Sequence, residues 1–257
     1  MPHSIAVSGK GGTGKTTLAA LMVRRLVQAG VKPVLAVDAD PNATLGLSLG
    51  MLPTRTLSDV REDTLESARD AAAVSKDELF EVGMFECLEE GNGFDLVTMG
   101  RPEGPKCYCY VNSVLKRQVN RLKEKYPVVV SDNEAGMEHI SRLTTHDVDA
   151  LVIVGEPTRL GILTAQRILG LARSLPTHVG RFVLVVNRVG GRGLSDRVRQ
   201  LVTEAGFETH VELPYLEEIE RLSEEGEPLT NLGEIPPGVD DVLIACAVPG
   251  FAPATGG

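Results

Sequence analysis

The stretch Gly9-Lys-Gly-Gly-Thr-Gly-Lys-Thr16 decides the fold of this chain. It fits the pattern G-x-x-x-x-G-K-[ST], follows the apolar segment Ser4-Ile-Ala-Val-Ser8, and opens a segment with helical spacing of apolar residues. Glycines let a backbone wrap closely around phosphates, while amide groups and the helix N-terminus face the anion. We therefore predict a phosphate-binding loop, in which Lys15 reaches the β and γ phosphates and Thr16 binds Mg²⁺. The predicted nucleotide contacts are Gly9, Lys10, Gly11, Gly12, Thr13, Gly14, Lys15, Thr16 and Thr17.

The rest of the chain alternates short apolar segments with helical patterns. Strands are predicted at residues 4–8, 33–37, 95–99, 128–131, 150–154, 181–186 and 208–212, and helices at 15–29, 113–125, 158–174 and 194–205. The charged, Ala-rich stretch 55–81 is interpreted as a helical insertion at the rim, and the acidic stretch 217–227 as a solvated helix face. Several strands are rich in Val, Ile and Leu without alternation, which is typical of strands buried on both faces. The pattern predicts an α/β fold with a mostly parallel β-sheet flanked by helices on both faces. With no linker or repeat in the sequence, we predict one domain over residues 1–257.

Composition argues against several classes of partner. The net charge is −9, aromatic residues make up 4% of the chain, and there is no Trp. A negative net charge opposes binding to nucleic-acid phosphates, and scarce aromatic residues disfavour base stacking. No apolar run of about 20 residues, leader peptide or basic amphipathic anchor is visible, so we expect a cytoplasmic protein with no membrane contact. Its four cysteines are then better suited to a core, to catalysis or to metal than to disulfides.

A second lysine, Lys10, stands inside the glycine-rich loop. This form resembles the deviant Walker A motif of the SIMIBI ATPases, the class of the Min and Par ATPases, the arsenite pump ATPase and the nitrogenase iron protein. The resemblance implies a Mg²⁺-dependent ATPase that binds ATP and ADP and works as a homodimer. It also implies that Lys10 reaches across the dimer interface to the partner's nucleotide, so Lys10 joins Lys15 as a candidate catalytic residue.

Two acidic segments at strand ends resemble the switches of that class. In Val37-Asp-Ala-Asp-Pro-Asn42, the resemblance assigns Asp40 to orienting the attacking water and Asp38 to supporting Mg²⁺ or the loop. A carboxylate that positions water suits phosphoryl transfer, in which positioning supplies much of the catalysis. In Ser131-Asp-Asn-Glu-Ala-Gly136, it assigns Asp132 to Mg²⁺ and the amide of Gly136 to the γ-phosphate.

Two further positions resemble the adenine-side contacts of the class. Asn187 ends a predicted strand, and an amide side chain can both accept from and donate to the edge of adenine. Pro214 follows the next predicted strand and fits the loop beside the base.

Cys107 and Cys109 form a C-x-C pair with no C-x-x-C or H-x-x-x-H nearby. On an extended chain both side chains could project to one side, but a closed tetrahedral zinc site needs four ligands. A symmetric dimer would supply the missing two, because two pairs would meet on its axis. Two buried cysteines in a turn would fit the spacing equally well. We expect the other two, Cys87 and Cys246, to be core residues.

The surroundings of the pair carry a narrower resemblance. Gly100-Arg-Pro-Glu-Gly-Pro-Lys-Cys-Tyr-Cys109, together with Asp132-x-Glu-Ala-Gly-x-Glu-His139, is similar to the nickel-insertion accessory ATPases of carbon monoxide dehydrogenase and acetyl-CoA synthase, of the CooC and AcsF types. The resemblance implies that a loop at about residues 100–112 binds Ni²⁺ or Zn²⁺ through Cys107 and Cys109, shared between two subunits. It further implies that ATP binding and hydrolysis deliver nickel to one of those client enzymes.

Two alternatives remain open. A positioning or partitioning ATPase of the MinD or ParA kind would explain the loop and Lys10, although it leaves the C-x-C pair unexplained. An iron–sulfur cluster carrier or electron-donor ATPase would use cysteines between subunits. Known cluster ATPases, however, place those cysteines far apart in sequence or use C-x-x-C near the C-terminus.

Overall fold

The computed structural model describes residues 2–70, 82–101, 119–134, 147–175 and 178–252. Its strands are β1 (His3–Gly9), β2 (Val34–Ala39), β3 (Leu88–Glu90), β4 (Phe94–Thr98), β5 (Val128–Asn133), β6 (Asp147–Gly155), β7 (His178–Val189) and β8 (Thr209–Pro214). Its helices include α1 (Lys15–Gln28), α2 (Leu45–Ser48), α3 (Leu57–Asp70), α4 (Arg159–Ser174), α5 (Asp196–Glu204), α6 (Glu217–Glu225) and α7 (Gly238–Ala245).

The described strands form a single sheet in the order β3-β4-β2-β5-β1-β6-β7-β8. Every neighbouring pair is parallel except β3 with β4. The strand that precedes the glycine-rich loop, β1, lies inside the sheet between β5 and β6. The expected α/β fold with a mostly parallel sheet is therefore confirmed.

Both faces of the sheet are covered, as the uninterrupted apolar strands predicted. Successive side chains of a strand point to opposite faces. Val7 of β1 accordingly packs in one core with Leu18 of α1 and Val242 of α7, whereas Ala6 packs in a second core with Ile162 of α4. The central strand is thus enclosed by helices on both sides.

Strand β3 and helices α2 and α7 were not predicted. Strand β3 has three residues, of which two are glutamates, and it pairs antiparallel at the edge of the sheet. Helix α2 has only four residues. Helix α7 packs against β8 and α1. The helical segment predicted at 113–125 is described only from residue 119, and residues 119–123 are helical.

The last turn of α1 is joined to α7 by an ion pair. Arg25 donates from Nε and Nη2 to the two carboxylate oxygens of Asp240, at 2.5 and 2.9 Å. The same guanidinium lies 5.3 Å from the ring centroid of Phe251. Two-point geometry of this kind fixes orientation as well as distance, so α7 is held in register with α1.

Parallel strands direct their carboxyl ends to one edge of the sheet, where open α/β folds bind their ligands. The ends of β1, β2, β5 and β7 all lie at this edge, because β1, β5, β6 and β7 run side by side in the same direction, as do β2 and β5. The glycine-rich loop, both acidic segments and Asn187 follow or end these strands. The topology therefore brings the sequence-predicted residues to one place.

Candidate functional site

The glycine-rich loop has a backbone that only glycine accommodates easily. Gly14 has φ +91° as the N-cap of α1, and Gly12 has φ +80°. A Cβ on Gly9 would lie 2.4 Å from the carbonyl oxygen of Val154. The positive φ angles of Gly12 and Gly14 favour glycine, and at Gly9 and Gly14 a close neighbour also leaves no room for a side chain.

Polar contacts within the loop converge on one carbonyl. The carbonyl oxygen of Lys10 accepts from the hydroxyl of Thr13 at 2.9 Å and from Nζ of Lys15 at 3.3 Å. Lys15 is buried, whereas Lys10 is exposed. The ammonium of Lys15 is thus held inside the loop, and the side chain of Lys10 faces outward.

Asp38 and Asp132 stand side by side at the ends of β2 and β5, where they are paired in the sheet register. The hydroxyl of Thr16 donates to Oδ2 of Asp132 at 2.5 Å. The other oxygen of this carboxylate, Oδ1, is buried without a hydrogen-bond partner among the described residues. Burial, with a smaller contribution from the charge of Asp38, raises the pKa of Asp132 to about 7.

The carboxylate of Asp38 holds the segment that follows β2. Its Oδ2 accepts from the backbone amide of Leu45 at 2.8 Å, and its Oδ1 accepts from the amide of Asp40 at 3.2 Å. Burial raises the pKa of Asp38 to about 6, although these backbone donors oppose the shift. Oδ1 of Asp40 accepts from the amide and the side-chain Nδ2 of Asn42, each at 2.9 Å. Asp38 therefore supports the loop, and Asp40 caps a turn within it.

Two cavities meet at the glycine-rich loop. The phosphate-side cavity has a volume of about 370 Å³, and its lining includes Lys15, Thr16 and Asp40. The base-side cavity has a volume of about 260 Å³, and its lining includes Asn187 and Pro214. Gly14, Thr17 and Arg188 line both. Six of the nine predicted loop contacts, Gly11, Gly12, Gly14, Lys15, Thr16 and Thr17, thus line these two adjoining cavities, together with Asn187 and Pro214, whereas Gly9, Lys10 and Thr13 do not.

Asn187 is tied to the phosphate loop. Its Nδ2 donates to the carbonyl oxygen of Thr13 at 2.9 Å, and a Cβ added to Gly14 would lie 2.4 Å from the same nitrogen. The amide of Asn187 therefore sits directly against the backbone of the loop while it lines the base-side cavity.

Several cavity residues escaped the sequence analysis. Arg188 has a left-handed backbone, with φ +59°, beside a register shift in β7 between Val186 and Val189. No glycine or asparagine marks this conformation in the sequence, so nothing local indicated that an arginine would border both cavities. Tyr215 and Glu220, which are joined by a hydrogen bond, line the base side, and Glu134 lines the phosphate side.

Other predicted residues lie outside the described part of the chain. These are Cys107, Cys109 and Gly136, together with Glu138 and His139. Cys87 and Cys246 are buried free thiols, as expected. Within the described ranges, no three His, Cys, Asp or Glu side chains come together as a group that could hold a metal ion.

Residues 4–229 match the model of the CobQ/CobB/MinD/ParA nucleotide binding domain. The chain belongs to this family. The match covers the whole glycine-rich loop and both acidic segments, and the chain is an ATPase of the MinD/ParA kind.

Relatives of the MinD/ParA family extend over most of the chain. An uncharacterized ATP-binding protein of Methanocaldococcus jannaschii is 37% identical, over 90% of this chain and 91% of that protein. The carbon monoxide dehydrogenase accessory protein CooC of Rhodospirillum rubrum is 33% identical, over 66% of this chain and 69% of that protein.

A solved MinD structure shares the fold. The septum site-determining protein MinD of Pyrococcus horikoshii, complexed with Mg-ADP, aligns over 96% of this chain and 95% of that chain, with a TM-score of 0.65 and 21% identity. In the present chain, no helix among the described residues is both long enough and apolar enough to cross a membrane.

Proposed function

We propose that the two cavities bind one ATP molecule, with the phosphates on the glycine-rich loop and the adenine beside Asn187 and Pro214. The buried ammonium of Lys15 supplies a positive charge at the phosphate end, and the loop amides supply further donors. Pro214 and the amide of Asn187 offer an apolar surface and a hydrogen-bonding edge at the base end. Gly136 would donate its amide to the γ-phosphate.

The residues around Asp132 fit a magnesium ion. Mg²⁺ prefers oxygen ligands and commonly uses one or two protein groups while it keeps several waters. Thr16 and Asp132 offer a hydroxyl and a carboxylate in contact, and the unpartnered Oδ1 of Asp132 leaves an acceptor for the cation or its water. Thr16 and Asp132 would hold Mg²⁺, which would supply positive charge to neutralise the negative charge that develops on the phosphate oxygens.

We propose that Asp40 positions the attacking water. Asp40 lines the phosphate-side cavity, and its side chain is held by Asn42, so the carboxylate has a defined direction. Its second oxygen, Oδ2, is not used in the contacts with Asn42 and can accept a hydrogen bond from water. Lys10, exposed at the rim, would reach the nucleotide of a second subunit.

We propose that ATP hydrolysis in a homodimer serves the delivery of nickel to carbon monoxide dehydrogenase or acetyl-CoA synthase. The observation that carries this proposal is the Cys107-Tyr-Cys109 pair in a chain that is 33% identical to the CooC accessory protein. Thiolates bind Ni²⁺ and Zn²⁺ well, and two pairs on a dimer axis complete a four-sulfur site. Nucleotide controls metal release if ATP and ADP favour dimer states with different metal affinity.

Metal stoichiometry tests this proposal. Anaerobic titration of the chain with Ni²⁺, with mass measured in parallel, should give one tight metal per two chains. Cys107→Ser/Cys109→Ser should weaken Ni²⁺ binding by at least about 100-fold, since all four thiolates of the shared site are replaced by hydroxyl groups, which are poor donors. Cys87→Ser is the matched control, because Cys87 is buried away from the cavities and should leave the affinity unchanged. Tight binding by the double variant would exclude the C-x-C site.

A positioning ATPase is the second candidate, favoured by the similarity to MinD over 96% of the chain. Assays on one preparation of the protein can distinguish nickel delivery from a positioning function. Nucleotide-dependent binding to lipid vesicles or DNA, together with no tight Ni²⁺ site, would support a positioning role. A brown chromophore after anaerobic reconstitution with iron and sulfide would instead support a cluster carrier.

A further inference from the structure

The end of strand β4 lies between the nucleotide edge and helix α3. The amide of Met99 donates to the backbone carbonyl of Asp38 at 2.8 Å. The carbonyl of Met99 accepts two hydrogen bonds from Ser58, one from the amide at 3.0 Å and one from the hydroxyl at 2.9 Å. Both the amide and the carbonyl of Met99 are therefore hydrogen-bonded, and Asp38, Ser58 and Met99 are all buried.

This contact reaches the nucleotide site through Asp38. The carboxylate of Asp38 holds the amides of Asp40 and Leu45, while its carbonyl holds Met99. A shift of the loop that carries Asp40 would therefore be felt at the end of β4 through one residue. Hydrogen bonds that join rigid elements are a physical path along which such a shift can travel.

The other side of the contact is a well-formed helix start. Thr56 and Asp59 exchange hydrogen bonds in the reciprocal arrangement that caps a helix N-terminus, since the amide of Thr56 donates to Asp59 and the amide of Asp59 donates to the Thr56 hydroxyl. Gly100, with φ +73°, passes so close to Thr56 that a Cβ would lie 2.4 Å from its hydroxyl oxygen. Immediately after Met99, the chain is thus pressed against the start of α3.

From this point the chain leads into the predicted metal loop, and Cys107 follows Met99 by eight residues. We infer that Ser58 is a positioning residue, which holds the Met99 carbonyl so that a change at Asp38 on nucleotide exchange alters the C-x-C segment. The inference rests on the proposed function, because it assigns a route for the coupling that nickel delivery requires. Ser58 itself lines neither cavity of the nucleotide site and is not one of the proposed metal ligands.

The thiols themselves provide a readout that does not need a metal. Cys87 and Cys246 are 1% and 0% exposed, and burial raises the pKa of each thiol to about 12. Neither thiol should therefore react with N-ethylmaleimide. Alkylation of Cys107 and Cys109 can then be followed by mass spectrometry, with chelator present, in the nucleotide-free, ADP and non-hydrolysable ATP-analogue states. In the parent protein we expect the alkylation rate to differ at least about 3-fold between nucleotide states.

Ser58→Ala removes the hydroxyl bond but keeps the backbone amide that also donates to Met99, so the fold should persist. We expect the nucleotide effect on alkylation to fall to less than about 1.5-fold, while ATP affinity changes little. Thr64→Val is the matched control, since it removes a buried hydroxyl bond on the same helix, to the Val60 carbonyl, away from Met99. It should keep the parent's response.

Gly100→Ala provides a second variant, because its Cβ would push the chain away from Thr56 while Ser58 stays intact. It should also reduce the response. A parent protein without a nucleotide effect, or a full effect in Ser58→Ala, would overturn the inference even if Ni²⁺ binds as proposed. Loss of the response in Ser58→Ala would support it even if the Ni²⁺ titration finds no shared site.

Discussion

Asp132→Asn should reduce ATP hydrolysis at least about 100-fold at millimolar Mg²⁺, while ADP binding without Mg²⁺ persists. The substitution keeps the shape of the side chain but removes the negative charge that faces Thr16. An amide is a poor magnesium ligand compared with a carboxylate, so charge on the transferred phosphoryl group would be less well neutralised. A phosphate-release assay over a range of Mg²⁺ concentrations measures the effect.

Thr16→Ser is the control for this variant, because serine keeps the hydroxyl that contacts Asp132. It should retain most of the activity, and the Mg²⁺ concentration for half-maximal rate should rise far less than in Asp132→Asn. Hydrolysis by Asp132→Asn within 3-fold of the parent rate would contradict the assignment of the magnesium site.

The same carboxylate should make stability depend on pH in the protein without Mg²⁺ and nucleotide. The folded-state pKa values of Asp132 and Asp38, about 7 and about 6, lie above the value near 3.9 of an unfolded aspartate. Between about pH 4 and 7 the folded state therefore binds more protons than the unfolded state. The free energy of unfolding should fall as pH rises through this window.

Asp132→Asn should reverse part of the decrease in the free energy of unfolding that occurs as pH rises. At pH 8 we expect the variant to be more stable than the parent by about 1–3 kcal/mol, because a buried charge beside Asp38 has been removed. At pH 5, where the parent carboxyl is mostly protonated, the two should nearly coincide. Urea unfolding in EDTA at both pH values measures the difference, and equal stability at pH 8 would argue against a strained carboxylate pair.

Gly14→Ala should abolish tight ATP binding and lower the free energy of unfolding by about 1–3 kcal/mol. The backbone at Gly14 is left-handed, and the added Cβ would lie 2.4 Å from Nδ2 of Asn187. The side chain of Asn187 must then leave the Thr13 carbonyl, so both the loop and the base-side cavity are disturbed. Fluorescent-nucleotide titration and urea unfolding check the two effects.

Gly12→Ala separates backbone strain from collision. Gly12 also has a left-handed backbone, with φ +80°, but a Cβ there would meet nothing within 4 Å. Its effects should therefore be clearly smaller than those of Gly14→Ala. The double variant Gly14→Ala/Asn187→Ala should be less destabilised than the sum of its two single variants, because removing the amide relieves the collision. Additive effects would show that Asn187 does not confine Gly14.

The sequence correctly predicted the location of polar residues that follow a strongly apolar run in a strand. Asp38, Asp132 and Asn187 each lie near the carboxyl end of a strand, after a run of apolar residues, and parallel strands necessarily bring such ends to one edge. The glycine pattern likewise predicted a loop with left-handed backbone positions, which favour glycine.

The features that the sequence did not predict depend on tertiary contacts, which no local sequence pattern encodes. Strand β3 is too short and too acidic to be distinguished from a loop, and only its pairing with β4 makes it a strand. Arg188 borders both cavities because a register shift and a left-handed backbone bring it there. The contact of Ser58 with Met99 joins residues 41 positions apart, so it was invisible before the sheet was assembled.

The Arg25–Asp240 ion pair ties α1 to α7, a helix that lies beyond the segment matching the family. The family match ends at residue 229, and all the predicted nucleotide contacts precede that point. Yet Val239 of α7 lines the base-side cavity, and Val242 shares a core with Leu18 of α1. A fragment ending at residue 229 would keep every phosphate contact but lack the wall behind the base, and its exposed core would favour aggregation over nucleotide binding. The smallest working unit is therefore longer than the segment that matches the family.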